Sequence, residues 1–372
     1  MNPFSYGTIV RGDFFFDRVE ECERIVSTLS NGNNLVLFAP RRYGKTSLVF
    51  RVIEKLEEQG FICVYFDFST VYSLETFVNG YIHAIEKKQS NLQKLVQAIS
   101  MFVKNVRPKL SFDSLGNSEF GIELSETNVS IDTAAQALDL PEKMTQGTKH
   151  TIVIFDEFQD IIKLKQYNFE NLLRSSIQQQ TKVKYLFLGS KTHLLNEMFN
   201  NKNRAFYNSA SHMQLGTLPQ ADTVIFLQRK FVDSGIKINT DTALFLIEQS
   251  GDIPYYIQLL AAEIWQFMIN SQTLVTNEIV SYCTSRIVEL KQDYYHELFD
   301  RQSVMQKQLL KALVVSGNNV FSAEYSKRFR LTAASTIQKA ILVLLDNGII
   351  DKTENSYFIS DPFFRRYIQN YA

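Results

Sequence analysis

The chain has 372 residues with 39 basic and 39 acidic side chains, so its formal net charge is zero and bulk basicity gives no case for nucleic acid or an anionic membrane. A composition 45% hydrophobic and 21% charged excludes disorder, and the high aromatic load, 29 Phe and 17 Tyr, reads as core filling. Three scattered cysteines (Cys22, Cys63, Cys283) form no CxxC pair and the histidines show no ligand spacing, so neither a disulfide framework nor a zinc site is indicated.

The first 30 residues carry Arg11, Asp13, Asp17, Arg18, Glu20 and Glu21 and lack the apolar stretch of a signal peptide. A helix is predicted at 18–29, then a buried strand, NLVLFA, at 34–39. The loop PRRYG follows, and then a helix from about 45 to 58. Further buried strands are predicted at 61–68 (FICVYFDF), from 151 (TIVIFDEF) and at 183–190 (VKYLFLGS), with a helix and a short strand near 212–218 after the last. Strands alternating with helices imply a parallel sheet with helices on both faces. Alternating apolar positions Leu110, Phe112, Phe120, Ile122 and Leu124 predict a β-hairpin excursion at 109–125. The pattern from 219 to about 298 is helical throughout. The longest apolar segment, 255–269, is interrupted by Gln258, Glu263 and Gln266, too polar and short to span a bilayer. A cytoplasmic protein with no membrane partner is expected.

From about 300 the pattern changes. Helices at 304–315 and 323–328 precede a third with Thr332 as its N-cap and Gly348 as its stop, whose core face is Ile337, Ala340, Ile341, Leu344 and Leu345. Two short strands around a polar tip complete a winged helix-turn-helix outline. Three domains are expected: 1–218, with the hairpin inserted at about 108–125; 219–299; and 300–372.

The strongest motif is Ala39-Pro-Arg-Arg-Tyr-Gly-Lys-Thr46, a phosphate-loop pattern with Ala39 in place of the first glycine. Gly44 lets the backbone turn close to phosphate, and the amides of the following helix N-terminus face the anion. The candidate nucleotide-binding residues here are Pro40, Arg41, Arg42, Tyr43, Gly44, Lys45, Thr46 and Ser47. Lys45 would reach the β- and γ-phosphates and the Thr46 hydroxyl would sit on Mg²⁺. The acidic pair ending TIVIFDE suits a Walker B element: Asp156 would hold Mg²⁺ and Glu157 would orient or deprotonate the attacking water. Ser190, at the end of the next strand, either reads the γ-phosphate or attacking water or caps the helix before His193. The candidate catalytic set is therefore Lys45, Glu157 and Ser190. Arg41, Arg42, Arg174 and Arg204 are each either a transition-state finger, in cis or from a neighbouring subunit, or a structural arginine. No guanine-reading NKxD follows the loop, which favours ATP.

Together, LFAPRRYGKTSL, IVIFDEFQD, YLFLGS, GDIPYYIQLL and DPFFRRYI resemble the archaeal-type P-loop ATPase family, related to the AAA+ and STAND groups. The resemblance spans nearly the whole chain. It implies an α/β P-loop NTPase domain, a helical lid and a C-terminal winged helix. It also implies that Arg18, in a box reading Phe16-Asp17-Arg18-Val19-Glu20, and Pro254, in Gly251-Asp252-Ile253-Pro254, belong to the nucleotide site. The box lacks the family's glycine and first glutamate, and Phe206-Tyr207-Asn208-Ser209 lacks a basic residue found in some relatives.

The last 72 residues hold ten Lys or Arg and five Asp or Glu, a difference of +5, so the remainder carries −5. Lys327, Arg328, Arg330 and Lys339 are the candidate DNA contacts. The outward face of the third helix, Ser335, Lys339, Leu342 and Asp346, is a poor major-groove reader. The expected function is a Mg²⁺-dependent ATPase whose ATP or ADP state moves its lid and winged helix, with assembly into a homo-oligomer through the nucleotide site. The alternatives are a DNA-associated regulator or recombination accessory factor in which ATP gates assembly, and a signalling scaffold that oligomerises on ATP.

Overall fold

The computed structural model describes residues 2–8, 18–88, 99, 101, 103, 106–112, 118–124, 129–145, 150–269, 274–353 and 356–372. The chain forms two compact units. One comprises Val19–Ala39 and Val49–Leu215; the other comprises Met1–Arg18, Pro40–Leu48 and Gly216–Ala372.

The first unit is built on five strands: β1 (Leu35–Phe38), β2 (Ile62–Asp67), β5 (Thr151–Asp156), β6 (Val183–Gly189) and β7 (Ser211–Gln214). Their order is β2-β5-β6-β1-β7 and every pairing is parallel. All residues of β1 and β5 are buried, as continuous apolar runs demand of strands covered on both faces. The phenylalanine-rich composition goes where the sequence implies. Phe155 and Phe158 stack with centroids 6.1 Å apart, and Phe158 meets Phe187 at 4.7 Å and Phe206 at 5.2 Å, all fully or nearly fully buried.

Helix α1 (Val19–Ser30) precedes β1, and α2 (Lys45–Glu58) follows the loop after it. Two further helices are not marked by the sequence pattern. They are α3 (Leu74–Glu86), opened by a Ser73–Thr76 capping box, and α4 (Ile131–Met144), capped by Ser130. Between them β3 (Val106–Phe112) and β4 (Ser118–Leu124) pair antiparallel as a separate two-stranded sheet. Helices α5 (Phe169–Gln179) and α6 (Thr192–Asn200) complete the unit.

In the second unit, α7 (Gln220–Asp233), α8 (Thr240–Gln249), α9 (Pro254–Met268), α10 (Asn277–Leu290) and α11 (Gln292–Asp300) form the helical region. It is not helical throughout: β8 (Lys237–Ile238) and β9 (Leu274–Val275) pair in parallel. Two-residue strands are too short for any periodicity to register. The winged helix follows as α12 (Val304–Val315), α13 (Ala323–Phe329), α14 (Ala334–Asp346), an antiparallel pair β10 (Ile350–Lys352) and β11 (Tyr357–Ile359), and α15 (Pro362–Tyr371). The five predicted core residues of α14 are all buried. Its N-cap is Ala333 rather than Thr332, whose hydroxyl is directed to Met305 Sδ, 3.5 Å away. Gly348 ends this helix with φ +67°, a left-handed stop that glycine accepts at little cost. Among the described residues no helix is long and apolar enough to cross a membrane.

Candidate functional site

Because the five strands run parallel, the carboxyl ends of β1, β5 and β6 share one edge of the sheet, the edge on which α/β proteins bind ligands. Asp156 is the last residue of β5 and Ser190 follows the last residue of β6.

Asp156 is 4% exposed and firmly held. Its Oδ2 accepts from the Tyr65 hydroxyl at 2.6 Å, and its Oδ1 accepts from the Glu157 N–H at 2.8 Å. Burial, and secondarily the Asp156 carboxylate, push the Tyr65 phenol upward, so it remains a proton donor at neutral pH. Sequence reasoning misses Tyr65 because it comes from β2, two residues before the Asp67 that pairs in register with Asp156.

Glu157 has φ +46°, a left-handed conformation costly for a residue with a Cβ. The next residue explains how it is imposed. Phe158 drives into the aromatic core and starts the 3₁₀ segment Phe158–Tyr167, leaving Glu157 to make the turn from strand to helix. The Glu157 Oε2 accepts from the Ser190 hydroxyl at 2.7 Å, from the Ser190 N–H at 3.3 Å and from Gln159 Nε2 at 2.6 Å. Two of the three candidate catalytic side chains are thus brought together. The Ser190 hydroxyl is committed to Glu157; it is not the N-cap of α6, whose capping position is Lys191 with no side-chain bond.

The phosphate-loop residues Pro40–Leu48 belong to the other unit. Arg42 (φ +72°) and Gly44 (φ +83°) are both left-handed; at Gly44 an added Cβ would meet nothing within 4 Å, so conformation rather than space selects glycine. Lys45 opens α2 and is buried, with Thr46 and Ser47 beside it in the first turn. Arg18 is 3% exposed and donates through Nη2 to the carbonyls of Gly216 (2.6 Å) and Tyr43 (3.4 Å), so it fixes the loop backbone. Burial, with Asp351 and Asp252 nearby, pushes the Tyr43 phenol up to about 12.

Arg42 links the loop to both helical regions of its unit. Its carbonyl accepts from the Tyr255 N–H at 3.3 Å, next to Pro254, the first residue of α9. Its guanidinium lies over the Tyr255 and Tyr256 rings, 5.2 and 4.9 Å from their centroids. Its Nη1 pairs with Asp361 Oδ2 at 3.3 Å, at the start of α15. Asp361 also accepts from the Tyr295 hydroxyl at 3.3 Å, and its Oδ1 caps α15 through the N–H groups of Phe363 and Phe364. Arg41 runs past Gly348, where an added Cβ would stand 3.2 Å from Nη1. Nothing in the local sequence marks Tyr255, Tyr256, Tyr295 or Asp361 as partners of the loop.

The remaining candidates lie elsewhere. Arg174 donates to the Ala205 carbonyl at 3.2 Å, tying α5 to the segment after α6, and Arg204 pairs with Glu170 of α5 at 2.7 Å and Glu197 of α6 at 2.8 Å. Lys327 and Arg328 are exposed in the last turn of α13, Arg330 at its cap, and Lys339 on α14, where Leu342 and Val343 are also exposed. Among the described residues no group of three or more His, Cys, Asp or Glu could cage a metal. Mg²⁺ needs no such cage, since one or two oxygen donors with substrate phosphates suffice, and a buried carboxylate such as that of Asp156 is a donor of that kind.

Residues 15–258 match a family described as an ATPase domain predominantly from Archaea, and residues 293–370 match a probable winged helix domain. An uncharacterised ATP-binding protein of Pyrococcus horikoshii is 24% identical over 253 residues, 65% of this chain and 73% of that protein. Among solved structures, the Walker-type ATPase of Pyrococcus abyssi is similar with a TM-score of 0.68 at 18% identity, over 99% of each chain. The ORC1 protein of Aeropyrum pernix, solved in complex with DNA, gives a TM-score of 0.51 at 14% identity, over 96% of this chain and 92% of that one.

Proposed function

This chain belongs to the family of ATPases found predominantly in Archaea, and we propose that it binds and hydrolyses ATP with Mg²⁺ and passes its nucleotide state to its lid and winged helix. Lys45 would neutralise the β- and γ-phosphates, and the Pro40–Ser47 backbone would follow them. Thr46 and Asp156 would hold Mg²⁺, which supplies charge neutralisation of the phosphates. Glu157 would orient the attacking water and take its proton, with its carboxylate fixed by Ser190.

The observation that carries the coupling is Arg42. A residue of the phosphate loop makes a backbone bond and ring contacts to α9 and an ion pair to Asp361 of the winged helix. A phosphate facing this loop would draw the same guanidinium that Asp361 holds. Nucleotide and winged helix would then compete for one side chain, and each would weaken the other's hold on it. The Arg42 side chain is 42% exposed, so its pair with Asp361 is worth only about 0.2–1 kcal/mol and is readily exchanged.

The test is nucleotide binding and turnover by the full chain. ATP should bind, turnover should require Mg²⁺, and Lys45→Ala should lose most of the affinity. Unchanged ATP affinity in Lys45→Ala would remove the site assignment.

One observation favours a second reading, DNA contact through the winged helix: Lys327, Arg328, Arg330 and Lys339 are all exposed. The exposed Leu342 and Val343 on the same helix as Lys339 fit phosphate gripping better than base reading. A mobility-shift titration with non-specific duplex at low salt decides it; no shift with or without ATP would exclude DNA contact.

A further inference from the structure

We infer that Gln159 is a positioning residue for hydrolysis, holding the carboxylate of Glu157 in the orientation that serves the attacking water. The inference rests on the reading of Glu157 as the residue that handles that water.

Gln159 is 3% exposed and its Nε2 donates to Glu157 Oε2 at 2.6 Å. That is the oxygen that also accepts the Ser190 hydroxyl and N–H. Three donors converging on one oxygen, from the segment after β5 and from the end of β6, fix the rotation of the carboxylate. Glu157 itself sits at a left-handed turn.

Two further observations separate this from a packing role. The Gln159 Oε1 is buried and has no hydrogen-bond partner among the described residues. A buried acceptor left unsatisfied costs stability, so an apolar side chain of the same shape would suit the core better. The space for the amide also comes from Gly189, immediately before Ser190. A Cβ there would collide with Gln159 Oε1 and stand 2.6 Å from Leu195 Cδ1. Gly189 has no positive φ to explain it; the room it leaves is filled by this amide together with the Leu195 side chain. The fold thus keeps a costly polar group in place, and its amide makes the bond to Glu157 in space that Gly189 leaves open.

The experiment compares turnover, ATP affinity and thermal midpoint in the full chain for wild type, Gln159→Met and Gln159→Asn. Gln159→Met keeps the length and removes the donor. Gln159→Asn keeps the amide but draws it back from Glu157. Both should lower kcat at least about tenfold with ATP Kd changed less than about twofold, because the lost bond orients the reacting group rather than the nucleotide. The Gln159→Met protein should melt at or above the wild-type temperature. A folded variant with wild-type kcat, or a fall in kcat matched by an equal loss of ATP affinity, would overturn the inference. So would failure of both variants to fold, since the residue would then be structural. Glu157→Gln tells this apart from failure of the underlying reading: wild-type turnover in that variant would remove Glu157 from the reaction whatever Gln159 does.

Discussion

The phosphate loop and the end of β5 are held in opposite ways. At the end of β5, Asp156, Glu157, Gln159, Tyr65 and Ser190 form a largely buried network with bonds of 2.6–3.3 Å, reinforced by the parallel register of the strands. In the loop, Arg42 is partly exposed and its partners come from α9 and α15, some 210 and 320 residues further along the chain. Charge-assisted bonds in a water-poor setting are strong and rigid, whereas an exposed ion pair is weak and exchangeable. The difference is one of rigidity: the strand-end network holds its side chains still, whereas the exposed Arg42 pair can exchange partners at small cost.

Glu157→Gln should lower kcat by roughly 10²–10⁴-fold, the range expected for loss of a general base, while ATP affinity stays near wild type; steady-state turnover with a binding titration measures both. Lys45→Ala should weaken ATP binding by roughly 10–150-fold, from a lost charged hydrogen bond of about 1.5–3 kcal/mol, measurable by calorimetry. Tyr65→Phe should lower stability by about 0.5–1.5 kcal/mol, because the Asp156 carboxylate loses a buried donor. A denaturant melt of Tyr65→Phe that matches wild type would show that the strand-end network is less rigid than its geometry implies.

Much of this architecture is legible in the amino-acid sequence. Continuous apolar runs at 34–39 and from 151 form fully buried strands, and α2 and α12 begin and end where their periodicity says. The phosphate loop and acidic pair carry their own signature, because phosphate binding demands a strand, a glycine turn and a helix in succession. The partners are not legible. Tyr65 looks like any strand tyrosine until register sets β2 beside β5, and nothing near Asp361 in the sequence points to Arg42. Gln159 stands inside the DEFQ segment, yet only the burial of Phe158 turns its amide back toward Glu157. Helix α15, with its Asp361 cap and buried Phe363, Phe364, Tyr367 and Ile368, is not among the predicted elements, because a ten-residue apolar-rich segment straight after a strand gives periodicity little length in which to register. Thr332 shows the reverse error, a good capping residue one position too early.

The central claim is that Arg42 is shared between nucleotide and winged helix, and a double-mutant cycle on ATP affinity tests it most directly. Asp361→Asn keeps the cap on α15, since Asn serves as well as Asp there, but removes the charge facing Arg42. With Arg42 in place, Asp361→Asn should tighten ATP binding by about 1.5–5-fold, the worth of an exposed ion pair released to a competitor. In an Arg42→Gln background the same substitution should change nothing. Unchanged affinity in the first case, or an equal change in both, would contradict the account.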